Sequence, residues 1–437
     1  MFKTFGNALK VKEIRNGLLF TFFILIVIRI GSVIPVPGLN TDAISFYLES
    51  KFGDAGGFMN SITGGSFQQM TIFALSVTPY ITSSIIMQLL TIAIPVLEDM
   101  QKDGEEGRKK INTITRYVTI LLAVIESIGL AVTFDRKGYM TMDGVLGYLM
   151  VVVTLTAGST FVMWLGEKIN DYGVGNGISV VLLINIVSRM PADFKNLYDM
   201  FMKGEDMVQQ IIAAAIIITV ITVTVVLVVL LQDAERKIPV QYAQKMQGRR
   251  LVGGRSSHIP LKVNTSGVIP IIFASSILSV PAIVVNLFGL KTSGVWSKIL
   301  TGMNSNYWFN PSYPWASVGV IFYILLVFFF AYFYTSVTFN PMEVANNMKR
   351  SGGFIPGIRP GKPTQDYFNK ILNYIVFIGA TALIIVAIIP IIFNGVFGAN
   401  VSFGGTSLII IVGVVIETIK QIESKMIVRN YTGFLND

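Results

Sequence analysis

The chain has 437 residues, of which 52% are hydrophobic and only 14% are charged, and its formal net charge is +9. Soluble domains usually carry about 25% charged residues, so this chain cannot cover itself with polar surface and a soluble globular protein is excluded. It has no cysteine and a single histidine, His258, which excludes a disulfide framework, a cysteine nucleophile and a cysteine or multi-histidine metal site. The positive charge could indicate a nucleic-acid partner, but the basic loops of a membrane protein explain it better.

Ten apolar stretches of helical length fill nearly the whole chain, and a spanning helix needs about 20 such residues. In chain order the predicted spans are 17–36, 70–95, 113–134, 145–165, 177–190, 211–231, 265–288, 316–339, 371–393 and 406–420. The first is predicted to be a retained span and not a cleaved signal peptide, because Pro35-Val36-Pro37-Gly38 follows it instead of a small-residue cleavage site. The sequence therefore predicts an all-α membrane protein with ten transmembrane helices.

The distribution of basic residues predicts the orientation. If the N-terminus is cytoplasmic, the segments on that side hold about 25 of the 34 lysines and arginines, as the positive-inside rule requires. The opposite orientation would invert this ratio. An even number of spans then places the C-terminus, which is also basic, in the cytoplasm.

The spans divide into two halves, residues 1–200 with spans one to five and residues 201–437 with spans six to ten. Spans two and seven both contain small polar residues and are predicted to be interrupted by proline, at Pro79 and Pro270. Spans five and ten are both short, and each follows glycine-rich sequence. Short or interrupted spans at matching positions of two inverted halves mark a functional centre between the halves. Chance likeness among apolar helices is the alternative.

The predicted centre is lined by aliphatic side chains. Transporters and pumps usually place ionisable groups at the midplane, whereas here Arg29 and Glu126 are the main candidates. The aliphatic residues at the starts or breaks of spans two, five, seven and ten are Val77, Ile81, Ile178, Leu182, Ile272 and Ile410. Taken singly, each is explained by ordinary packing or lipid contact. Together they could form a collar that excludes water and offers an ion no ligand.

A short, mildly apolar segment precedes span two on the predicted outer side. Its residues are Phe58, Met59, Asn60, Ser61, Ile62, Thr63, Gly64 and Gly65. It is either an ordinary re-entrant loop or a movable stopper below the collar.

Two predicted cytoplasmic loops, 232–264 and 340–370, are too long to be simple connections. The first holds seven basic residues, among them Lys245, Arg249, Arg250 and Arg255. The second begins with a helix that Asn340 should cap, and its glycine- and proline-rich tip presents Arg359. Both loops are either solvated membrane-surface charge or docking sites for an acidic partner such as ribosomal RNA. His258 lies in the first loop without a partner motif and is interpreted as a surface residue.

The sequence contains no nucleophile elbow, P-loop, HExxH or dinucleotide-binding motif, so no residues support an enzyme. No cofactor is predicted either. A secondary transporter with inverted repeats is the main alternative to a channel.

Seven strings along the chain resemble those of the bacterial SecY family. They are 22–38 with Arg29-Ile30-Gly31, Thr78-Pro79-Tyr80-Ile81, Met163-Trp164-Leu165-Gly166-Glu167, Gly175-Asn176-Gly177-Ile178-Ser179, His258-Ile259-Pro260-Leu261-Lys262-Val263-Asn264, Pro356-Gly357-Ile358-Arg359-Pro360-Gly361 and Gly404-Gly405-Thr406-Ser407-Leu408. They occur in order and cover essentially the whole chain. One such string would be weak, whereas seven in sequence are specific.

The resemblance implies an hourglass channel in the bacterial cytoplasmic membrane that passes unfolded polypeptides and releases membrane helices sideways through a lateral gate. By position, the family's pore ring corresponds to the aliphatic collar and its plug to residues 58–65. Its lateral gate corresponds to Thr82, Gln88, Asn264, Ser275 and Val280. The basic loop tips correspond to docking sites for the ATPase SecA and the ribosome. The resemblance also implies SecE and SecG subunits, signal peptides and nascent chains, and membrane lipid as partners.

Overall fold

The computed structural model describes residues 10–52, 62–142, 144–203, 206–242, 245–247, 250–252, 256–288, 294–397 and 405–433. Long helices dominate these residues. The helices are α1 (Lys12–Gly31), α2 (Thr41–Phe52), α3 (Thr78–Ala93), α4 (Pro95–Lys102), α5 (Gly104–Arg136), α6 (Val145–Tyr172), α7 (Gly177–Phe201), α8 (Met207–Asp233), α9 (Ile269–Phe288), α10 (Val295–Met303), α11 (Val318–Thr338), α12 (Pro341–Arg350), α13 (Lys362–Phe397) and α14 (Gly405–Gly433). The strands are β1 (Glu235–Tyr242), β2 (Lys245–Gln247), β3 (Arg250–Val252), β4 (Ser256–Lys262) and β5 (Gly353–Phe354).

Each of the ten predicted spans overlaps one long helix: α1, α3, α5, α6, α7, α8, α9, α11, α13 and α14. Within the described part of the chain, seven helices are long and apolar enough to cross a membrane. An eighth is added if α3 and α4, which meet at an angle of 100°, form one broken span. The helical membrane fold is therefore present, and the count of ten spans remains a prediction.

The structure corrects three details of the predicted spans. Pro79 and Pro270 do not interrupt their spans, because each lies in the first turn of its helix, α3 or α9. Amide hydrogens in the first turn have no intrahelical acceptor, so proline, which lacks this hydrogen, loses no hydrogen bond there. Residues 70–77, predicted to begin span two, form turns instead of a helix.

The third correction concerns spans five and ten, which are not short as helices. Helix α7 has 25 residues and α14 has 29, because both continue into polar sequence beyond the apolar stretch. Backbone hydrogen bonding does not depend on side-chain polarity, so hydropathy marks the apolar part of a helix and not its ends.

The two long loops contain a small β-sheet that the sequence did not predict. Strand β1 is central, pairing antiparallel with β4 of its own loop and with β5 of the second loop. Beneath the sheet, buried Ile238 and Val240 of β1 pack in one cluster with Met348 of α12 and Phe368 of α13. The two predicted docking loops are therefore one structural unit with its own apolar core.

Helix α12 confirms the predicted capping. The Asn340 side chain accepts hydrogen bonds from the backbone amides of Met342 (3.1 Å) and Glu343 (3.4 Å), and Pro341 is the first helical residue. Gly352 follows the end of the helix with a φ of +71°, which glycine adopts at little steric cost.

The two predicted halves contact each other most extensively along two helix pairs, α7 with α14 and α5 with α9. Each pair joins a helix of residues 1–200 to a helix of residues 201–437. The largest buried cluster of the described residues lies between them and draws on α1, α3, α6, α7, α9, α11 and α14.

Candidate functional site: an aliphatic waist

Of the six residues predicted to form a collar, four belong to this largest buried cluster and two pack against it. The buried members are Val77, Leu182, Ile272 and Ile410, with exposed fractions of 0%, 5%, 7% and 2%. Ile81 and Ile178 are half-buried and pack against the same cluster. The six come from four helices in both predicted halves, and the cluster they share is called the waist below. The structure thus brings the predicted residues together, while their role as a pore ring remains a prediction.

The local structure of helix α3 explains how two residues reach the waist from it. Val77 is the N-cap of α3, and its carbonyl oxygen accepts a hydrogen bond from the amide of Ile81 at 3.0 Å. These two residues are one turn apart, so their side chains lie on the same side of the helix. Ser76, just before the cap, has a φ of +47°, a left-handed conformation that is uncommon for residues other than glycine.

Glycines hold the start of α7 against two neighbouring helices. A Cβ atom on Gly177 would lie 1.7 Å from the Gly166 carbonyl oxygen of α6. Gly175 has a φ of +93°, and its amide donates to the side-chain oxygen of Gln421 on α14. The glycine-rich sequence therefore brings α7 close to α6 and α14, and this places Ile178 and Leu182 at the waist.

Only the end of the predicted stopper lies in the described part of the chain. Phe58, Met59, Asn60 and Ser61 lie outside the described residues. Ile62 is buried and belongs to the waist cluster, and Thr63 is buried beside it. Gly64 and Gly65 follow with φ values of +66° and +87°. The described end of this segment thus packs directly against the waist.

One polar residue at this point, Asn185 of α7, was not predicted from the sequence. It is 1% exposed, and its Nδ2 atom donates to the Ile62 carbonyl oxygen at 2.9 Å and to Ser76 Oγ at 3.0 Å. An asparagine in the middle of an apolar span is the signal that could have revealed it, because polar groups at membrane depth are costly without a partner.

The predicted lateral-gate residues lie on α3 and α9 or just before α9. Thr82 and Gln88 of α3 bond locally, to the Thr78 carbonyl oxygen (3.1 Å) and to Ser84 Oγ (3.4 Å). Ser275 and Val280 lie on α9, and Val280 is 49% exposed. Helix α9 packs mainly against α11 and α5. A gate between α3 and α9 remains a prediction.

Two side-chain amides near the predicted gate have unsatisfied atoms. Both polar side-chain atoms of Asn264 and the Oε1 atom of Gln88 are buried without a hydrogen-bond partner among the described residues. Buried polar atoms are nearly always paired in folded proteins, so these atoms have hydrogen-bonding capacity that the described residues do not use.

The described members of the predicted docking set, Lys245, Arg250 and Arg359, lie on the sheet-containing unit or next to it. Arg359 is exposed, and its carbonyl oxygen accepts a hydrogen bond from Thr364 Oγ1 at 2.8 Å, which fixes the loop tip. Lys245 and Arg250 lie in the hairpin formed by β2 and β3. Arg249 and Arg255 fall outside the described residues. His258 is exposed on β4, as predicted.

Comparisons with known proteins give one consistent result. The SecY family model matches residues 71–419. The protein translocase subunit SecY of Streptomyces scabiei is 44% identical over 449 residues, and that of Bacillus subtilis is 40% identical over 445; both alignments cover 100% of this chain and of the relative. SecY of Thermotoga maritima is 39% identical over 444 residues, covering 100% of this chain and 98% of its own.

Solved structures share the fold at low sequence identity. A SecY channel whose plug domain stabilises the closed state and maintains a membrane seal aligns with a TM-score of 0.63 at 18% identity, over 95% of this chain and 94% of that chain. Sec61 in the canine ribosome-channel complex from the endoplasmic reticulum aligns with a TM-score of 0.59 at 18% identity, with the same coverage.

The long apolar helices and the full-length relatives together define a multi-pass membrane protein of the channel class. The family model and the full-length relatives also agree on the particular family. The chain belongs to the SecY family of protein translocase subunits. This membership confirms the resemblance found in the sequence, and it confirms the expectation of a channel component instead of an enzyme.

Proposed function

We propose that this protein is the protein-conducting channel of a translocase, which passes unfolded secretory polypeptides across the membrane. The observation that carries the proposal is the waist, where aliphatic side chains from four helices of both predicted halves pack together. Full-length relatives named protein translocase subunit SecY support it.

The mechanism follows from the cost of moving a polypeptide through lipid. Each unsatisfied backbone amide or carbonyl costs several kcal/mol in hydrocarbon. A water-filled path on both sides of a narrow waist removes that cost, and the aliphatic side chains at the waist offer ions no ligands. They make only dispersion contacts, so they can rearrange around a passing chain without losing hydrogen bonds.

Membrane-protein helices leave sideways in the same proposal. The lateral gate lies between α3 and α9, and the unsatisfied amides of Gln88 and Asn264 favour a site that water or a segment in transit occupies. An apolar helix moves from there into lipid because its side chains are more favourably placed in hydrocarbon.

The channel supplies no energy of its own, so partners must push the chain. The exposed Arg359 tip and the β2–β3 hairpin are the proposed docking site for the SecA ATPase and for ribosomal RNA, whose phosphates bind arginine and lysine. The Sec61 relative in a ribosome-channel complex supports the ribosome as a partner. SecE and SecG are proposed as companion subunits, in the bacterial cytoplasmic membrane with both termini in the cytoplasm.

A secondary transporter is a poorer explanation of the same fold. It would place polar or charged ligands where the two halves meet. The six predicted collar residues that meet at the waist are aliphatic instead.

Reconstitution tests the proposal directly. The purified chain is placed in liposomes with SecE, and SecA, ATP and a radiolabelled secretory precursor are added. Protease is then applied outside the vesicles, and a channel protects full-length precursor in an ATP-dependent manner. Precursor that is digested as completely as in empty liposomes would contradict the proposed function.

A further inference from the structure

Asn185 connects three segments that meet at the waist. Its Nδ2 atom donates to the carbonyl oxygen of Ile62, at the described end of the predicted stopper, and to Ser76 Oγ, just before α3. The Ile62 oxygen can only accept, so the amide nitrogen must face it. One side-chain NH2 group on α7 thus holds both segments.

Ser76 is held from a second direction by Ser159 of α6. Ser159 Oγ donates to the Ser76 carbonyl oxygen at 2.9 Å, and both serines are buried. Ser76 adopts a φ of +47°, and such conformations persist when the surroundings fix them. The next residue is Val77 of the waist, so the hydrogen bonds to Ser76 also position a waist side chain.

Close backbone packing brings the stopper segment within reach of α7. A Cβ atom on Gly64 would lie 3.0 Å from the Cα and the carbonyl oxygen of Asn185, and 2.9 Å from Arg29 Nη1. Gly64 therefore permits an approach that a larger residue would prevent. Arg29 Nη1 and Asn185 Oδ1 are buried there without a hydrogen-bond partner among the described residues.

We propose that Asn185 is a positioning residue that holds the end of the stopper segment against the waist in the closed channel. The inference rests on the proposed function, because it assigns a residue to the seal of that channel. A neutral amide suits this role: its hydrogen bonds have modest net strength and exchange readily for water when the segment moves. Because one NH2 group binds both Ile62 and Ser76, displacement of either segment weakens the hold on the other.

The experiment measures how often the segment opens, with a cysteine as probe. The chain has no cysteine, so an Ile62→Cys variant carries a single thiol at a site that is 4% exposed. Labelling by N-ethylmaleimide in lipid nanodiscs then reports local opening. Asn185→Leu keeps the approximate volume and removes the hydrogen bonds, and labelling is expected to rise about tenfold. Asn185→Asp keeps the shape of the side chain but replaces the donor NH2 group by oxygen, so labelling should rise in this variant too. It replaces the leucine variant in the experiment if that variant does not fold.

Ser159→Ala is the matched control. It removes a buried hydrogen bond to Ser76 and leaves the Asn185–Ile62 bond intact, so labelling at position 62 should rise much less than in the Asn185 variants. Unchanged labelling in both Asn185 variants would overturn the inference. An equal rise in Ser159→Ala would also overturn it, because loss of any hydrogen bond near Ser76 would then free the segment, with no special role for Asn185.

Ion conductance of the same Asn185 variants, without the cysteine, separates this inference from the proposed function. Raised labelling together with raised conductance in planar bilayers supports both. Raised labelling with unchanged conductance supports the role of Asn185 in holding the segment, and counts against that segment as a seal.

Discussion

At the scale of single residues, the waist depends on side chains that fill space without offering polar atoms. Of the six predicted collar residues in the waist, Ile81 and Ile178 are half-buried and the other four are buried. In the proposed channel the waist stays closed to ions because a narrow aliphatic passage dewets. Its tightness should therefore depend on side-chain volume at these positions.

Replacing both Ile81 and Ile178 by glycine should open a permanent leak. The double variant removes two branched side chains from the waist, so water can enter and ion conductance in planar bilayers should rise several-fold. Leu183→Gly is the control, because Leu183 is also partly buried against this cluster and lies on the same helix as Ile178. A double variant that conducts no more than the control would argue against a seal at the waist.

Arg359 is the residue on which the docking proposal depends most directly. It is exposed at a loop tip, so its charge contributes little to folding and is available to a partner. Arg359→Glu places a like charge opposite an acidic surface, which costs several kcal/mol at an interface. SecA-driven export into vesicles should fall to background, while the thermal unfolding temperature of the purified protein stays unchanged.

Arg350→Glu provides the comparison for this charge reversal. Arg350 is also exposed and belongs to the same loop, at the end of α12 and away from the tip. Export by this variant should remain close to wild type. Normal export by Arg359→Glu would refute the docking role of the tip.

At the scale of elements, glycines determine how closely the helices pack. Gly177→Ala would place a Cβ atom 1.7 Å from the Gly166 carbonyl oxygen, so α6 and α7 must separate. Overpacking of this kind costs about 1–3 kcal/mol, and the thermal unfolding temperature in detergent should fall accordingly. Gly302→Ala on α10 is the control, because its Cβ atom would lie 3.6 Å from its nearest neighbour, in the Trp315 side chain. Equal unfolding temperatures for both variants would contradict the close approach of α6 and α7.

The positions of the helices could be predicted from sequence, but their ends could not. Apolar length identified the ten long helices of the described residues, and the Asn340 and Pro341 pattern identified the start of α12. The prediction that Pro79 and Pro270 interrupt their spans was wrong. Proline is compatible with the first turn of a helix, and hydropathy does not distinguish that position from a break. The ends of α7 and α14 also lie in polar sequence that carries no hydropathy signal.

Contacts between segments that are far apart in the sequence could not be predicted from local sequence patterns. Strand β5 has two residues and pairs with β1 about 110 positions earlier in the chain, so no periodicity could reveal it. The two bonds of Asn185 span 123 and 109 residues. The six waist residues were found only because matching spans of an inverted repeat indicated where to look.

At the scale of the whole molecule, the two halves are joined where helices of opposite halves pack, α7 with α14 and α5 with α9. The Gly175–Gln421 bond strengthens the first contact, and Lys425 of α14 also donates to the Gly173 carbonyl oxygen. The second contact has no corresponding glycine-mediated approach among the described residues. Opening of the waist is therefore expected to pivot on the α7–α14 contact and to separate the halves on the α5–α9 side.

The orientation of the whole molecule in the membrane can be tested with two exposed positions that are predicted to lie on opposite sides. Ser257 of β4 and Ser297 of α10 are both exposed, and the positive-inside rule places them on opposite sides, Ser257 in the cytoplasm and Ser297 outside. Since the chain lacks cysteine, Ser257→Cys and Ser297→Cys each introduce one thiol with little change in size. A membrane-impermeant maleimide added to intact bacterial cells without an outer membrane should label position 297 and reach position 257 only after the membrane is permeabilised. The reverse pattern would invert the topology and place the basic sheet unit, with Arg359, on the side where neither an ATP-driven motor nor a ribosome is present.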